Sequence, residues 1–347
     1  MKLLMTGSAG TRDLTQLVQR ATWSGDKASC ARTLEADIAC IAGDALLPHA
    51  DVELGDRVLF YDDSQLFDGF VFSVQVGTSD RTKTIKAFDR GVYLNRNQGY
   101  YAFQRTTPED VVRMVSEDFS IPLGDIARTG YRFSRNFLGQ SLYKIIATAY
   151  TLASADTGEK YRVEFALDRL TARRIEQDDD TLIIRGGSNL LTASVTESIE
   201  EMTNRVRVVN KSYQAVSTVE DADAIARYGV MQSVLSQGDD SAKQAKAMLA
   251  DGGAKQKVTL TCMGDTRSIT GRAVAVYESH TGLWGLYWIE SDSHTWQNGI
   301  YTNKLVVSYK KTMDEQEAGS LVSASKKRAS SSTAKSTEQE YWEYKKG

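Results

Sequence analysis

Residues 50–90, ADVELGDRVLFYDDSQLFDGFVFSVQVGTSDRTKTIKAFDR, decide how the chain is read. Short apolar-alternating runs (Val52/Leu54, Val58 to Tyr61, Phe70/Phe72/Val74/Val76, Ile85/Ala87) are separated by turn residues, which predicts a four-strand meander. Gly55-Asp56 permits a tight reversal, Asp62-Asp63-Ser64 can bond its own backbone, and Gly77 to Asp80 closes the next hairpin. In the third strand Phe70, Phe72, Val74 and Val76 point one way and Val71, Ser73 and Gln75 the other. That gives one core face and one wet or partnered face. Such a meander builds a small barrel or curved sheet and carries no catalytic signature.

Upstream, residues 13–42 hold an amphipathic run and two strand-like runs around a turn at Trp23-Ser24-Gly25-Asp26, with Leu34, Ala36 and Ile38 facing inward. A first β domain therefore covers 1–96. At Thr107-Pro108-Glu109-Asp110 the period changes, because a cap, a first-turn proline and two acids open a helix. A second helix, Ser141 to Ala155, spaces Leu142, Ile145, Ile146, Ala149, Tyr150 and Ala153 by three and four. Strand runs follow at Tyr161 to Leu167, Leu170 to Ile175 and Leu182 to Arg185, so 97–190 reads as an α/β insert. Residues 191–312 form a second β domain, with Val206 and Val208 among its strands. A helical insertion at about 215–254 (Val219 to Val234, Ser241 to Ala250) is too poor in large apolar residues to hold a core and must lie on another surface. Residues 313–347, rich in Ser, Ala and Lys, read as a flexible arm with an aromatic tip at Tyr341-Trp342.

The two β domains echo each other. Gly69-Phe70-Val71-Phe72 followed by Thr82 to Asp89 resembles Gly271 to Val276 followed by Tyr287-Trp288-Ile289 and the strand closing at Tyr309. Two similar barrels in one chain imply a ring with twice as many modules as subunits. The fold class is thus α+β, mainly β: two small tube-like β-barrel domains, an α/β insert and a helical insertion.

At 347 residues the chain is too long for one core. A net charge of −3 gives no general attraction to nucleic acid or anionic membrane. No apolar run reaches a membrane span, and the start MKLLMTGSAGTRD lacks a secretory pattern, so synthesis in a cytoplasm is expected. Cys30, Cys40 and Cys262 lack metal or redox spacing and read as free thiols. Gly7 to Thr11 lacks the Gly-Lys-Ser/Thr ending of a phosphate loop. Asp178-Asp179-Asp180 reads as a solvated turn. His280, Asp292 and His294 could meet across strands, yet no further ligand is spaced for zinc. Glu197, Glu200 and Glu201 could imitate a glycosidase pair, although Ser198 before two acids reads better as a turn cap. Trp284, Tyr287, Trp288 and Trp296 suit packing or interface roles. No catalytic, cofactor-binding or metal residue is assigned.

The phrases GDRVLFY, LFDGFVFSVQ, TKTIKAFDRGVYLNRN, SLYKIIATAY, EKYRVEFALDRLTARRI, SIEEMTNRVRVVNK, YWIESDSHTW and TNKLVVSY, in that order over residues 15 to 312, resemble the contractile-tail baseplate hub family, relatives of the late control D protein of phages and prophages. The resemblance implies a virion protein of the tail baseplate, a homotrimer presenting two barrels per subunit to a hexameric tail tube protein above and a trimeric spike protein below. Other baseplate proteins would adjoin it, DNA would be only cargo in the channel, and this chain would not insert in a membrane. No enzyme activity or cofactor is implied, and no lysozyme or peptidase module is expected within these 347 residues. The alternative is a tail-associated peptidoglycan hydrolase using Glu197 or Glu201; a third reading is envelope-sugar binding through Trp284 and Trp296.

Overall fold

The computed structural model describes residues 1–8, 10–40, 51–77, 81–238 and 241–316. The first module contains β1 (Lys2–Gly7), β2 (Gly10–Asp13), β3 (Val18–Asp26), β4 (Thr33–Ala39), β5 (Arg57–Asp62), β6 (Ser64–Val76) and β7 (Thr82–Asp89). An insert follows with α1 (Gly91–Arg96), β8 (Gln98–Thr106), α2 (Pro108–Asp118), β9 (Leu123–Ile126), β10 (Phe133–Ser141), α3 (Leu142–Thr157), β11 (Tyr161–Ala166) and β12 (Arg169–Arg174). The second module begins with β13 (Leu182–Arg185) and β14 (Leu190–Ser198). It is interrupted by β15 (Arg205–Val209), β16 (Ala215–Glu220), α4 (Ala222–Tyr228), β17 (Gln232–Ser236) and α5 (Ser241–Asp251). It ends with β18 (Lys255–Met263), β19 (Ala273–Glu278), β20 (Leu283–Gln297) and β21 (Ile300–Ser308).

Both modules lie in one 13-stranded sheet, because β20 pairs with β19 through Leu283–Trp288 and with β3 through Ser291–Gln297. The same strand order occurs twice: β3-β4-β7-β6-β5 and β14-β18-β21-β20-β19. Each copy carries bulges at the same two places. One falls between Val18 and Arg20 or Leu190 and Thr192, the other between Val71 and Ser73 or Ile289 and Ser291. With the bulges superposed, core falls on core. Leu34, Ala36 and Ile38 match Val258, Leu260 and Cys262; Val58 and Phe60 match Val274 and Val276; Val71 matches Ile289; Ile85 and Ala87 match Leu305 and Val307, all of them buried. The repeat is therefore real, but its expected alignment shifts: Phe70 to Val76 matches β20, whereas Gly271 to Val276 holds β19, the match of β5.

The bulges also explain where simple alternation fails. Val71, not Phe70 or Phe72, enters the first core, and the extra residue at Phe72 resets the parity so that Val74 packs inward as well. Trp23 to Asp26 continues β3 instead of turning, and residues 51–56 precede the sheet without forming a strand. Trp296 crosses from the second module's β20 into the first core, edge-on to Phe60 at 4.9 Å, with its indole N–H donating to Asp62 Oδ2 at 3.1 Å.

The insert is built as its sequence dictates. Thr107 caps α2 by accepting from the Asp110 N–H at 3.3 Å, and Ser141 caps α3 by accepting from the Lys144 N–H at 3.2 Å. Every α3 residue predicted to face inward is fully buried, in a cluster that also takes in Cys30, Ala273, Trp288 and Met313. The insert thus sits on both modules; each such buried Ile or Leu contributes about 1.5–3 kcal/mol.

Three expectations are corrected. Leu182–Arg185 pairs in parallel with β19, so it belongs to the second module and not to the 97–190 insert. The 215–254 insertion is not simply helical: β16, β15 and β17 form a sheet that α5 covers around Val206, Val208 and Ala245. Val206 and Val208 therefore leave the barrel. Met313 is buried, Asp314 accepts from the Tyr143 hydroxyl at 2.9 Å, and the Gln316 N–H donates to Thr151 at 3.1 Å, so the arm's first residues are docked. Its remainder, with Tyr341-Trp342, lies outside the described residues, as does the Gly77 to Asp80 turn beyond Gly77.

Candidate functional site: an assembly surface

The face of the long sheet opposite the cores is dominated by small hydroxyls. One row crosses from β14 to β4 through Thr192, Thr261, Lys304, Ser293, Ser24 and Thr33; another runs Thr302, Thr295, Thr22, Glu35, Lys86 and Ser73. Of its charges, Arg20 is matched within the sheet. Arg20 Nε donates to Asp37 Oδ2 at 2.9 Å and its Nη2 lies 3.8 Å from Glu35.

The joint between the modules is polar and buried. On β20, Asp292 accepts from Arg32 Nη1 at 3.1 Å and Nη2, from the Thr270 N–H at 2.6 Å and from the Thr270 hydroxyl at 2.6 Å. Burial pushes the Asp292 carboxyl up, but Arg32 and its bonds with His294 and Arg32 outweigh this and hold it well below the ordinary carboxylate range. His294 lies 3.3 Å from Asp292, 2.7 Å from the Tyr301 hydroxyl and 3.2 Å from the Ser268 carbonyl. Arg32 also lies over Trp23 at 3.8 Å. Gly25 leaves room for the pair, since a Cβ would come within 2.9 Å of Arg32 Cζ and displace the guanidinium. At the end of the joint, Lys27 Nζ meets Glu290 Oε1 at 2.7 Å. Behind it, Asp89 accepts the N–H groups of Arg32 (3.0 Å) and Gly91 (2.9 Å), and burial raises its carboxyl to about 7 despite them.

Matching the modules exposes an imbalance. β20 spends Ser291–Gln297 on β3, the match of β14. β6 pairs with β5 only from Ser64 to Phe70, and among the described residues no strand pairs with that edge of β6 from Phe72 to Val76. Likewise, among the described residues, β14 pairs with β18 on one side and, apart from the Gly186–Leu190 bridge, with no strand on the other. Val76 is 64% exposed at the position matching buried His294. Among the described residues the edges of β6 and β14 thus stand open and are of complementary kind, and such edges invite another chain.

The residues singled out in sequence do not form a reactive centre. His294 and Asp292 meet, whereas His280 sits in a turn whose N–H donates to Glu278 at 2.9 Å. Among the described residues no cluster of His, Cys, Asp and Glu could hold a metal. Asp178 to Asp180 lie in the β12–β13 turn, with Asp178 3.7 Å from Arg272. Gly7 and Gly10 face each other in the β1–β2 hairpin. Glu197, Glu200 and Glu201 are exposed, with Glu197 accepting from Gln256 at 3.2 Å, so none has the apolar enclosure of a general acid. Trp296, Trp288 and Tyr287 are buried; Trp284 alone of this group is open, 73% exposed and edge-on to Tyr277 at 5.0 Å. Cys30 and Cys262 are buried free thiols, Cys262 pushed up to about 12 by burial, and Cys40 is half-buried. Arg32 and Glu290 escaped the sequence reading because their partners lie hundreds of positions away with no local signal.

A family described as YQBQ-like matches residues 21–308. The chain belongs to that family. Among curated relatives, it is 26% identical over 319 residues to the phage-like element PBSX protein XkdQ of Bacillus subtilis (strain 168), covering 88% of this chain and 96% of the relative. YQBQ-like architecture is shared with solved tail proteins. The 43 kDa tail protein of prophage MuSo2 from Shewanella oneidensis has a TM-score of 0.69 at 12% identity, covering 90% of this chain and 99% of that one. The tail protein from Neisseria meningitidis MC58 has a TM-score of 0.65 at 13% identity, covering 90% and 98%. The E. coli c3393 protein, a type VI secretion component described as structurally similar to the T4 tail proteins gp27 and gp5, has a TM-score of 0.54 at 9% identity, covering 87% and 76%. The expected fold class is the observed one. No helix among the described residues is long and apolar enough to cross a membrane.

Proposed function

We propose that this YQBQ-like chain is the baseplate hub of a contractile phage tail or phage-tail-like injection particle, a homotrimer that joins the hexameric tail tube to the trimeric spike and lines the central channel. Its organisation divides at about residues 96, 190 and 312, with β13 assigned to the second barrel. The unmatched edges of β6 and β14 carry the reading. Inside one chain a β20 edge is filled by β3; around a ring the matching β6 edge is filled by the next copy's β14. Three chains so joined make six similar modules, the symmetry step between a sixfold tube and a threefold spike.

Transferring the β20–β3 register through the bulges sets Ser73 opposite Ser198, Gln75 opposite Thr196 and Val76 opposite Val195 of the neighbour. The hydroxyl-rich face is then the channel wall, on which Lys86 and Lys304 stand singly among small hydroxyls and not in the basic cluster that would retain DNA through its phosphates. The role is one of assembly, without turnover. Gln75→Cys combined with Thr196→Cys tests it: oxidation is expected to give covalent dimers and trimers in denaturing gels, and light scattering a trimer. A stable monomer in the presence of tube protein overturns the reading.

A further inference from the structure

We propose that the turn Ile199–Glu201 of one copy, with Ile199 half-buried and both glutamates exposed, docks on an aromatic shelf beside the open β6 edge of the next copy; this rests on the ring reading above. On the shelf, Phe72 lies edge-on to Phe88 at 5.5 Å and 6.1 Å from Tyr93, which is itself 6.5 Å from Phe70. Lys86 Nζ stands 5.5 Å over Phe88 and Arg90 Cζ 5.6 Å over Phe70. None of the four rings is fully buried. Among the described residues neither Lys86 nor Arg90 has a carboxylate partner, and Arg90 Nε is buried without a hydrogen bond.

The intrachain joint says what covers the shelf. There, the residue after β3, Lys27, pairs with Glu290, the extra residue of the β20 bulge. The matching residues across copies are Ile199, which follows β14, and Phe72, the extra residue of the β6 bulge. An ion pair inside the chain is thus replaced by an apolar pair between chains. The next two residues, Glu200 and Glu201, are exposed without cation partners among the described residues, and the Ser198 hydroxyl fixes the turn by accepting the Glu200 N–H at 3.1 Å. They supply the charge that Lys86 and Arg90 lack. The carboxylates that imitate a hydrolase pair in sequence are interface anchors.

The test uses the full chain and its dilution-driven dissociation, followed by light scattering, with circular dichroism as a check on folding. Glu200→Lys with Glu201→Lys is expected to weaken the trimer about tenfold or more, as reversing close interfacial charge pairs does. Adding Lys86→Glu with Arg90→Glu in the same chain is expected to restore it. The Gln75→Cys/Thr196→Cys cross-link reports the ring separately. If that cross-link forms while charge reversal leaves dissociation unchanged, or while the reciprocal reversal fails to restore it, the docking is wrong and the ring stands. A chain that neither cross-links nor associates removes both.

Discussion

Compared position by position, the two barrels agree in their interiors and disagree at one edge. Ile85 and Leu305, or Val58 and Val274, fill the same places with fully buried aliphatic groups. The edge that follows the second bulge carries Glu290, Asp292 and His294 in one module and Phe72, Val74 and Val76 in the other. Core positions keep their apolar character because each is shut off from water, although sizes trade between modules, as Ala36 for Leu260 and Phe60 for Val276. The edges diverge because one is closed by the chain's own β3, beside the buried Arg32–Asp292 ion pair, while the other stays apolar and, among the described residues, open.

The largest expected effect follows from breaking the closed edge. Asp292→Ala strands Arg32 without its partner and is expected to cost about 3–5 kcal/mol in denaturant unfolding; Val74→Ala at the matching, half-buried position should cost clearly less. Gly25→Ala drives a methyl into the Arg32 guanidinium and is expected to cost about 1–3 kcal/mol, whereas Glu197→Ala, its match on exposed β14, should stay within about 0.5 kcal/mol.

The pH dependence sharpens the contrast. Asp292 is depressed when folded, so its stabilisation is present above the ordinary 3.8 and is lost as pH falls below it. Asp89 is raised to about 7, so the folded chain holds a proton that the unfolded chain releases between 3.8 and 7. Its contribution therefore declines as pH rises through that window. Unfolding midpoints measured from pH 4 to 8 are expected to show this decline, and Asp89→Asn to flatten it. The smallest effect on folding belongs to Val76→Asp. Unfolding of the single chain should change by less than about 0.5 kcal/mol, while association is lost; an unchanged trimer mass would mean that Val76 lies outside the contact.

Much of this fold is legible in short stretches of sequence. Leu34, Ala36 and Ile38 alternate because β4 is regular, and Thr107 and Ser141 announce α2 and α3 because capping is a local interaction. The misreadings arise where geometry depends on something distant. An extra residue at Phe72 is invisible to alternation, β3 runs on through Gly25 because β20 pairs it as far as Asp26, and β16 and β17 exist only because β15 lies between them. The proposed assembly surface is the least legible part. It is defined by what β6 and β14 lack compared with β20 and β3, and a lack emerges only when two sheets are superposed.

The 15-residue strand β20 has a mechanical consequence. Its first half pairs with β19 of its own module, and its second half lies between β21 of that module and β3 of the other, so one barrel cannot swivel on the other unless a ladder of backbone bonds is sheared at once. Load applied to one end of the molecule therefore travels as it would through a plate, not through beads on a string, and calorimetry should find both barrels melting in a single step.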